Sequence, residues 1–184
     1  KKLYDSLIEY MGKACEGFDS KITVKDILIS SPSKSQQTTE TFALKDASFL
    51  FSMNGFSSNS VSLRFGTAYD GFAITPPPAG FSDVVPNHLN LDFTFDKIPF
   101  KELLDLGSKS METAGGSPAE QRKAGMQAAS VIPQLLTAAG SYARITQSFF
   151  GNGSYNVAID GQLNANLKAV MGADGKMKLE ITGM

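Results

Sequence analysis

The feature that most constrains this chain is a change of hydrophobic period between Pro86 and Leu106. Leu89, Leu91, Phe93 and Phe95 fall on every second position, with Asn90, Asp92 and Thr94 between them. Alternate side chains of a strand point to opposite faces, so this run is a strand with one apolar and one polar face. After Lys97, Ile98 and Pro99, apolar residues recur at helical spacing: Phe100, Leu103, Leu104 and Leu106. A half-buried strand therefore runs into an amphipathic helix, and both apolar faces need a shared core.

Alternation returns along most of the chain. Ile22 to Ser30 alternates, slips at Asp26 and resumes; Thr41 to Ser52 alternates, slips at Lys45-Asp46 and resumes. Val61, Leu63, Phe65 and Tyr69 form another strand, which changes phase after Gly71 to Phe72 and Ile74. Phase slips of this kind let a long strand curve while its apolar side chains stay inward. Tyr142 to Phe150 leads into a hairpin signal at Gly151-Asn152-Gly153, and the return strand carries Tyr155, Val157, Ile159, Leu163, Ala165 and Leu167. Gly161 is expected to mark a bulge or bend in that strand. Ala173-Asp174-Gly175 reads as a further turn before a last strand with Met177, Leu179 and Ile181. Meanders of this kind make antiparallel sheets.

Helices punctuate the strands. Leu3, Leu7, Ile8, Met11 and Cys15 share one side of a helix over about Lys2 to Glu16, expected to pack on the domain's own sheet. The helix after Pro99 is expected to end near Thr113. Ser117-Pro118-Ala119-Glu120 is a helix start, with a Ser cap, a Pro in the first turn and a Glu three residues after the cap. That helix runs to Gly140, and Pro133 is expected to kink or split it near Ala129.

Composition narrows function further. The 184 residues carry a net charge of −1 and no basic run longer than Lys1-Lys2, so nothing here would hold nucleic acid phosphates. One Cys excludes an internal disulfide framework and a multi-Cys zinc site. His88 is the sole histidine and stands in phase with Asn90 and Asp92 on the wet face, which reads as a surface residue rather than a triad base. Ser31-Pro32-Ser33-Lys34 matches S-x-x-K in a polar loop without its partner motifs. Asp92 and Asp96 lie four residues apart on one face, about 13 Å, too far for a glycosidase pair. Pairing with Lys or Arg on a neighbouring strand is their expected role. What stands out is 13 Phe beside only 5 Tyr and no Trp, set on alternating strands next to amphipathic helices.

The run Pro86-Asn87-His88-Leu89-Asn90-Leu91-Asp92-Phe93, continuing through Ile98-Pro99-Phe100-Lys101-Glu102-Leu103-Leu104, resembles a passage in bacterial envelope proteins of the YdgA and AsmA-like kind. Tyr155 to Leu163, Met171 to Gly175 and Leu179 to Gly183 resemble the same proteobacterial group of unknown function. The resemblance covers about the C-terminal half. It implies an N-terminal membrane anchor, a strand-rich periplasmic part and, for the AsmA-like branch, a link to lipid transport. It brings no catalytic residues.

These readings converge on a single α+β domain, the soluble part of a longer anchored or exported protein. The expected fold is a strongly curved, half-barrel-like antiparallel sheet with two or three helices on its concave face. The expected function is non-enzymatic, without cofactor or metal: an acyl chain or other apolar ligand bound between sheet and helices in the periplasm or envelope. Phe93, Phe95, Leu103, Leu104, Met126, Ile132, Leu136 and Val157 are the expected lining. The alternative is a structural or scaffolding envelope domain with a solid core, acting through protein partners at an exposed edge strand.

Overall fold

The computed structural model describes residues 16–32, 39–77, 80, 83–112 and 115–183, together with Ser6 and Tyr10. The helix expected over residues 2–16, its Cys15, and Ser33-Lys34 of the S-x-x-K match lie outside the described residues, apart from those two positions and Glu16.

Eight strands form one antiparallel sheet. They are β1 (Gly17–Pro32), β2 (Thr39–Asn54), β3 (Val61–Asp70), β4 (Ala73–Thr75), β5 (His88–Ile98), β6 (Tyr142–Gly151), β7 (Asn156–Ala165) and β8 (Ala173–Thr182). Their order across the sheet is β1-β2-β3-β5-β6-β7-β8, and β4 continues the line of β3 along β2. Every neighbouring pair is antiparallel, and β1 and β8 are the two edges. Two helices, α1 (Phe100–Glu112) and α2 (Pro118–Ala139), connect β5 to β6.

Two of the irregularities fall at residues with a left-handed backbone. Asp26, at the slip in β1, has a left-handed backbone with φ 53°. β2 keeps an unbroken one-to-one register with β1 on either side of Lys45. The irregularity expected at Gly161 sits on the facing strand instead: β6 carries one extra residue between Ile145 and Ser148, where Gln147 has φ 46°. β7 and β8 stay in register throughout.

Four readings differ from expectation. The strand expected to continue past Gly71 with a change of phase ends at Asp70, and Ala73–Thr75 forms the separate strand β4. Ala173-Asp174-Gly175 is the start of β8 and pairs with β7; the chain turns earlier, over Asn166 to Gly172, where Gly172 adopts φ 72°. Leu167 lies in that turn, beyond the end of β7. Pro133 does not split α2, which runs unbroken for 22 residues. A proline forfeits one internal hydrogen bond, and the flanking turns are good helix formers, so the helix carries the loss.

The start of α2 follows the sequence closely. The Ser117 hydroxyl accepts from the Glu120 backbone N–H, and the Glu120 carboxylate accepts from the Ser117 backbone N–H, a reciprocal cap. These bonds hold the Glu120 carboxyl below its usual range, the backbone donor contributing most. At the other end Gly140 takes the left-handed conformation that closes a helix. The next residue ties that end into the sheet: the Ser141 hydroxyl donates to the Lys97 carbonyl of β5, and the Ala165 N–H of β7 donates to the Ser141 carbonyl. α1 packs against α2, and α2 comes against β5 and β7.

The sheet is thinly covered. Val61 and Ile145 are the buried hydrophobic residues among those described.

Candidate functional site: the apolar face of the sheet

Residues directly opposite each other in an antiparallel pair project from the same face. Following the register across the sheet therefore sorts the side chains. One row reads Ser20, Phe51, Phe65, Phe93, Ile145, Gly161 and Met177 from β1 to β8. The next reads Phe18, Met53, Leu63, Phe95, Ala143, Leu163 and Gly175. Both are almost wholly apolar, because the period-two patterns of separate strands are brought into phase by their pairing.

Aromatic rings link these rows. The rings of Phe18 and Phe51 are 5.3 Å apart, those of Phe51 and Phe65 5.0 Å, and those of Phe65 and Phe95 6.4 Å. A ladder of Phe thus crosses four strands at right angles to the chain. Its far half changes character: across β6, β7 and β8 the rings give way to Ile145, Leu163 and Met177 interleaved with the small Ala143, Gly161 and Gly175, and α2 comes against this part of the sheet at β7. The Phe-rich half stays open to solvent, with Phe18, Phe49, Phe93 and Phe95 each about two-fifths to one-half exposed.

The opposite face is polar and internally paired. Arg64 on β3 grips the Asp92 carboxylate on β5 through Nε, at 3.0 and 3.1 Å, and through a terminal nitrogen. Ser62 donates to Asp96, and Arg144 on β6 lies 3.7 Å from the same carboxylate. Asp92 and Asp96 therefore do pair with basic residues on neighbouring strands. His88 opens β5 on this face; its Nδ1 lies 2.9 Å from Asn87 Oδ1 and its Nε2 3.4 Å from Asn156 Oδ1. No group of three or more His, Cys, Asp or Glu among the described residues could hold a metal ion. No described helix is long and apolar enough to cross a membrane.

The eight residues expected to line an apolar groove fall in three places. Phe93 and Phe95 stand side by side on the open apolar face of β5. Val157 shares that face, opposite Phe150 and Ile181, but toward the other end of the strands. Leu103 and Leu104 are half-buried on α1 and Leu136 on α2, while Met126 and Ile132 of α2 are 69% and 37% exposed. Sequence reasoning did not include Phe18, Phe51 and Phe65, which complete the ladder with Phe95. The alternation that carries Phe51 and Phe65 is legible in the sequence; the place of Phe18 and the adjacency of all three follow only once β1, β2 and β3 are read as one meander ending on β5.

In comparisons with protein-family models, curated proteins and solved structures, nothing matches this chain.

Proposed function

We propose that this is a non-enzymatic protein of the bacterial cell envelope that holds an acyl chain or similar apolar ligand on the Phe-rich face of its sheet. The supporting observation is the ladder Phe18-Phe51-Phe65-Phe95, which leaves a wide apolar strip exposed on a sheet whose other face is charged and paired. Exposed apolar patches of this extent mark binding surfaces. A chain of methylene groups has no directional demands, and a row of aromatic and aliphatic side chains meets it through burial alone. In this reading α1 and α2 supply a second wall through Leu103, Leu104, Met126, Ile132 and Leu136, with Phe93 and Phe95 on the sheet side and Val157 at the far end of the strip. A half-barrel bend of the sheet around them belongs to the same reading. The envelope location rests on the resemblance of the Pro86–Leu104 and Tyr155–Gly183 runs to YdgA and AsmA-like proteins.

The test is titration of the delipidated protein with a fluorescent fatty acid, followed by displacement with palmitate. Saturable binding that palmitate reverses is expected. Absence of any saturable signal, with the protein folded by circular dichroism, overturns the reading.

A further inference from the structure

We propose that the polar face carries a second site, a groove across the strands centred on Phe149, that takes a neutral linear oligosaccharide. The register places one row of side chains along it: Thr23, Ser48, Ala68, Asn90, Phe149, Ala158 and Glu180, from β1 to β8. Small Ala68 and Ala158 lie on either side of the Phe149 ridge, and a hollow opens on each side of it. One of about 480 Å³ reaches from Phe149 over Asn90 and His88 to Ser48 and Thr23. The other, about 350 Å³, reaches from Phe149 to Asp160, Lys178 and Glu180. At the usual strand spacing the row is about 29 Å long, suited to an oligomer rather than a single ring.

Phe149 is on this face because the backbone is bent to put it there. Continued alternation from Ile145 would carry it to the apolar side. The extra residue at Gln147 reverses the phase, so that Phe150 faces the apolar side and Phe149 the polar one. A left-handed conformation at a non-glycine residue is strained and persists where its surroundings fix it. Two side chains do so: Asp160 Oδ2 accepts the Gln147 N–H at 3.2 Å, and Asn90 Nδ2 donates to the Gln147 carbonyl at 2.9 Å. The ring stands 5.8 Å from that of His88 and remains 37% exposed. Bulges that re-aim one side chain in this way recur next to functional sites.

The lining selects the ligand. A sugar ring offers an apolar C–H face to an aromatic ring and hydroxyls around its rim. Thr23 and Ser48 line the first hollow and bring hydroxyls within it to meet such a rim. Charges along the two hollows are mixed and largely paired, Asp46 with Lys25, Asp70 with Lys45 and Glu180 with Lys178, so the lining presents no field of one sign to a polyion and suits a neutral ligand. None of this depends on acyl-chain binding, which uses the opposite face.

The absence of Trp makes the test direct. Phe149→Trp introduces a single fluorophore at the ridge, titrated with cellohexaose. A saturable change in emission is expected, with half-saturation at or below about 1 mM. By calorimetry on the unmodified chain, Phe149→Ala is expected to weaken binding at least tenfold and Ser48→Ala severalfold, while Phe149→Tyr retains it. No saturable response in the Trp variant and no heat with the unmodified chain overturn the proposal. So does an Ala variant, folded by circular dichroism, that binds within twofold of the unmodified chain. Should that variant not fold, Ser48→Ala together with Phe149→Tyr decides: unchanged affinity in the first, or lost affinity in the second, overturns it.

Discussion

Phe51 on β2 and Phe65 on β3 stand directly opposite each other, with ring centroids 5.0 Å apart and planes tilted by 51°. Each also touches a further ring, Phe18 on one side and Phe95 on the other. The pair is the centre of the ladder, and it serves two ends at once. It holds neighbouring strands together, and it presents an apolar strip to whatever lies on that face.

The two roles separate by position. Phe65→Ala removes a half-buried ring with two ring contacts and is expected to lower stability by about 2 kcal/mol in urea denaturation. Phe95→Ser alters a ring that is 42% exposed and meets Phe65 edge-on at the end of the ladder. It is expected to cost less than half as much stability and to weaken fatty-acid binding at least fivefold. Equal stability loss in both variants contradicts the division.

On the polar face, Arg64→Ala breaks the fork with Asp92. The Arg64 side chain is 51% exposed and Asp92 20%, so solvent screens most of the attraction. A loss of at most about 1 kcal/mol is expected, smaller still in high salt, read from denaturation midpoints.

Two glycines behave oppositely. A Cβ on Gly175 meets the Gln162 carbonyl oxygen at 1.9 Å and the Leu163 Cα at 2.8 Å, both backbone atoms of β7. Gly175→Ala is expected to separate the start of β8 from β7 and to cost about 1–3 kcal/mol. Gly107 lies inside α1 with nothing within 4 Å of an added Cβ. Gly107→Ala is expected to stabilise by about 0.5–1 kcal/mol, because alanine restricts the unfolded chain and favours the helix. Thermal melts of the two variants check both signs.

Among the groups with shifted ionisation, two tyrosines and one glutamate set testable limits on the pH window. The Tyr142 phenol is held above its ordinary value, first by a hydrogen bond with Asp96, then by burial and the Asp96 charge, against Arg144. Burial raises Tyr69, with a smaller push from Tyr155. A raised folded value contributes stability that is fully present below the unfolded value, about pH 10, and is lost as pH rises through the folded one. Glu120 is lowered by its cap, so its contribution is present above about pH 4.3 and is lost as pH falls through its folded value. Stability from these groups is therefore expected to be level between those limits and to fall on both sides. Tyrosinate absorbance and denaturation midpoints across pH follow the alkaline limb, and helix circular dichroism the acid limb.

How far the sequence revealed the fold depends on range. Leu89 to Phe95 and Phe100 to Leu106 are legible from period alone, and the Ser117–Glu120 cap from residue types at fixed spacing. Each is local, written into adjacent residues. The phase slip at Asp26 was also legible, since the alternation stumbles there. Gln147 was not: a polar residue between Thr146 and Ser148 carries no sign of a left-handed backbone, which is fixed by Asn90 and Asp160 from other strands. Ala173-Asp174-Gly175 reads as a turn, yet Gly175 is demanded by the close approach of β7. The candidate site was half legible for the same reason: Phe93 and Phe95 follow from one strand, but their partner Phe65 follows from pairing.

The most direct measurement is crosslinking with a fatty acid bearing a diazirine near its methyl end, with adducts mapped by tandem mass spectrometry. Adducts concentrated on Phe18, Phe49, Phe51, Phe65, Phe93 and Phe95, and suppressed by excess palmitate, are expected. Adducts spread equally over the polar face, or none that palmitate suppresses, would contradict the acyl-chain site.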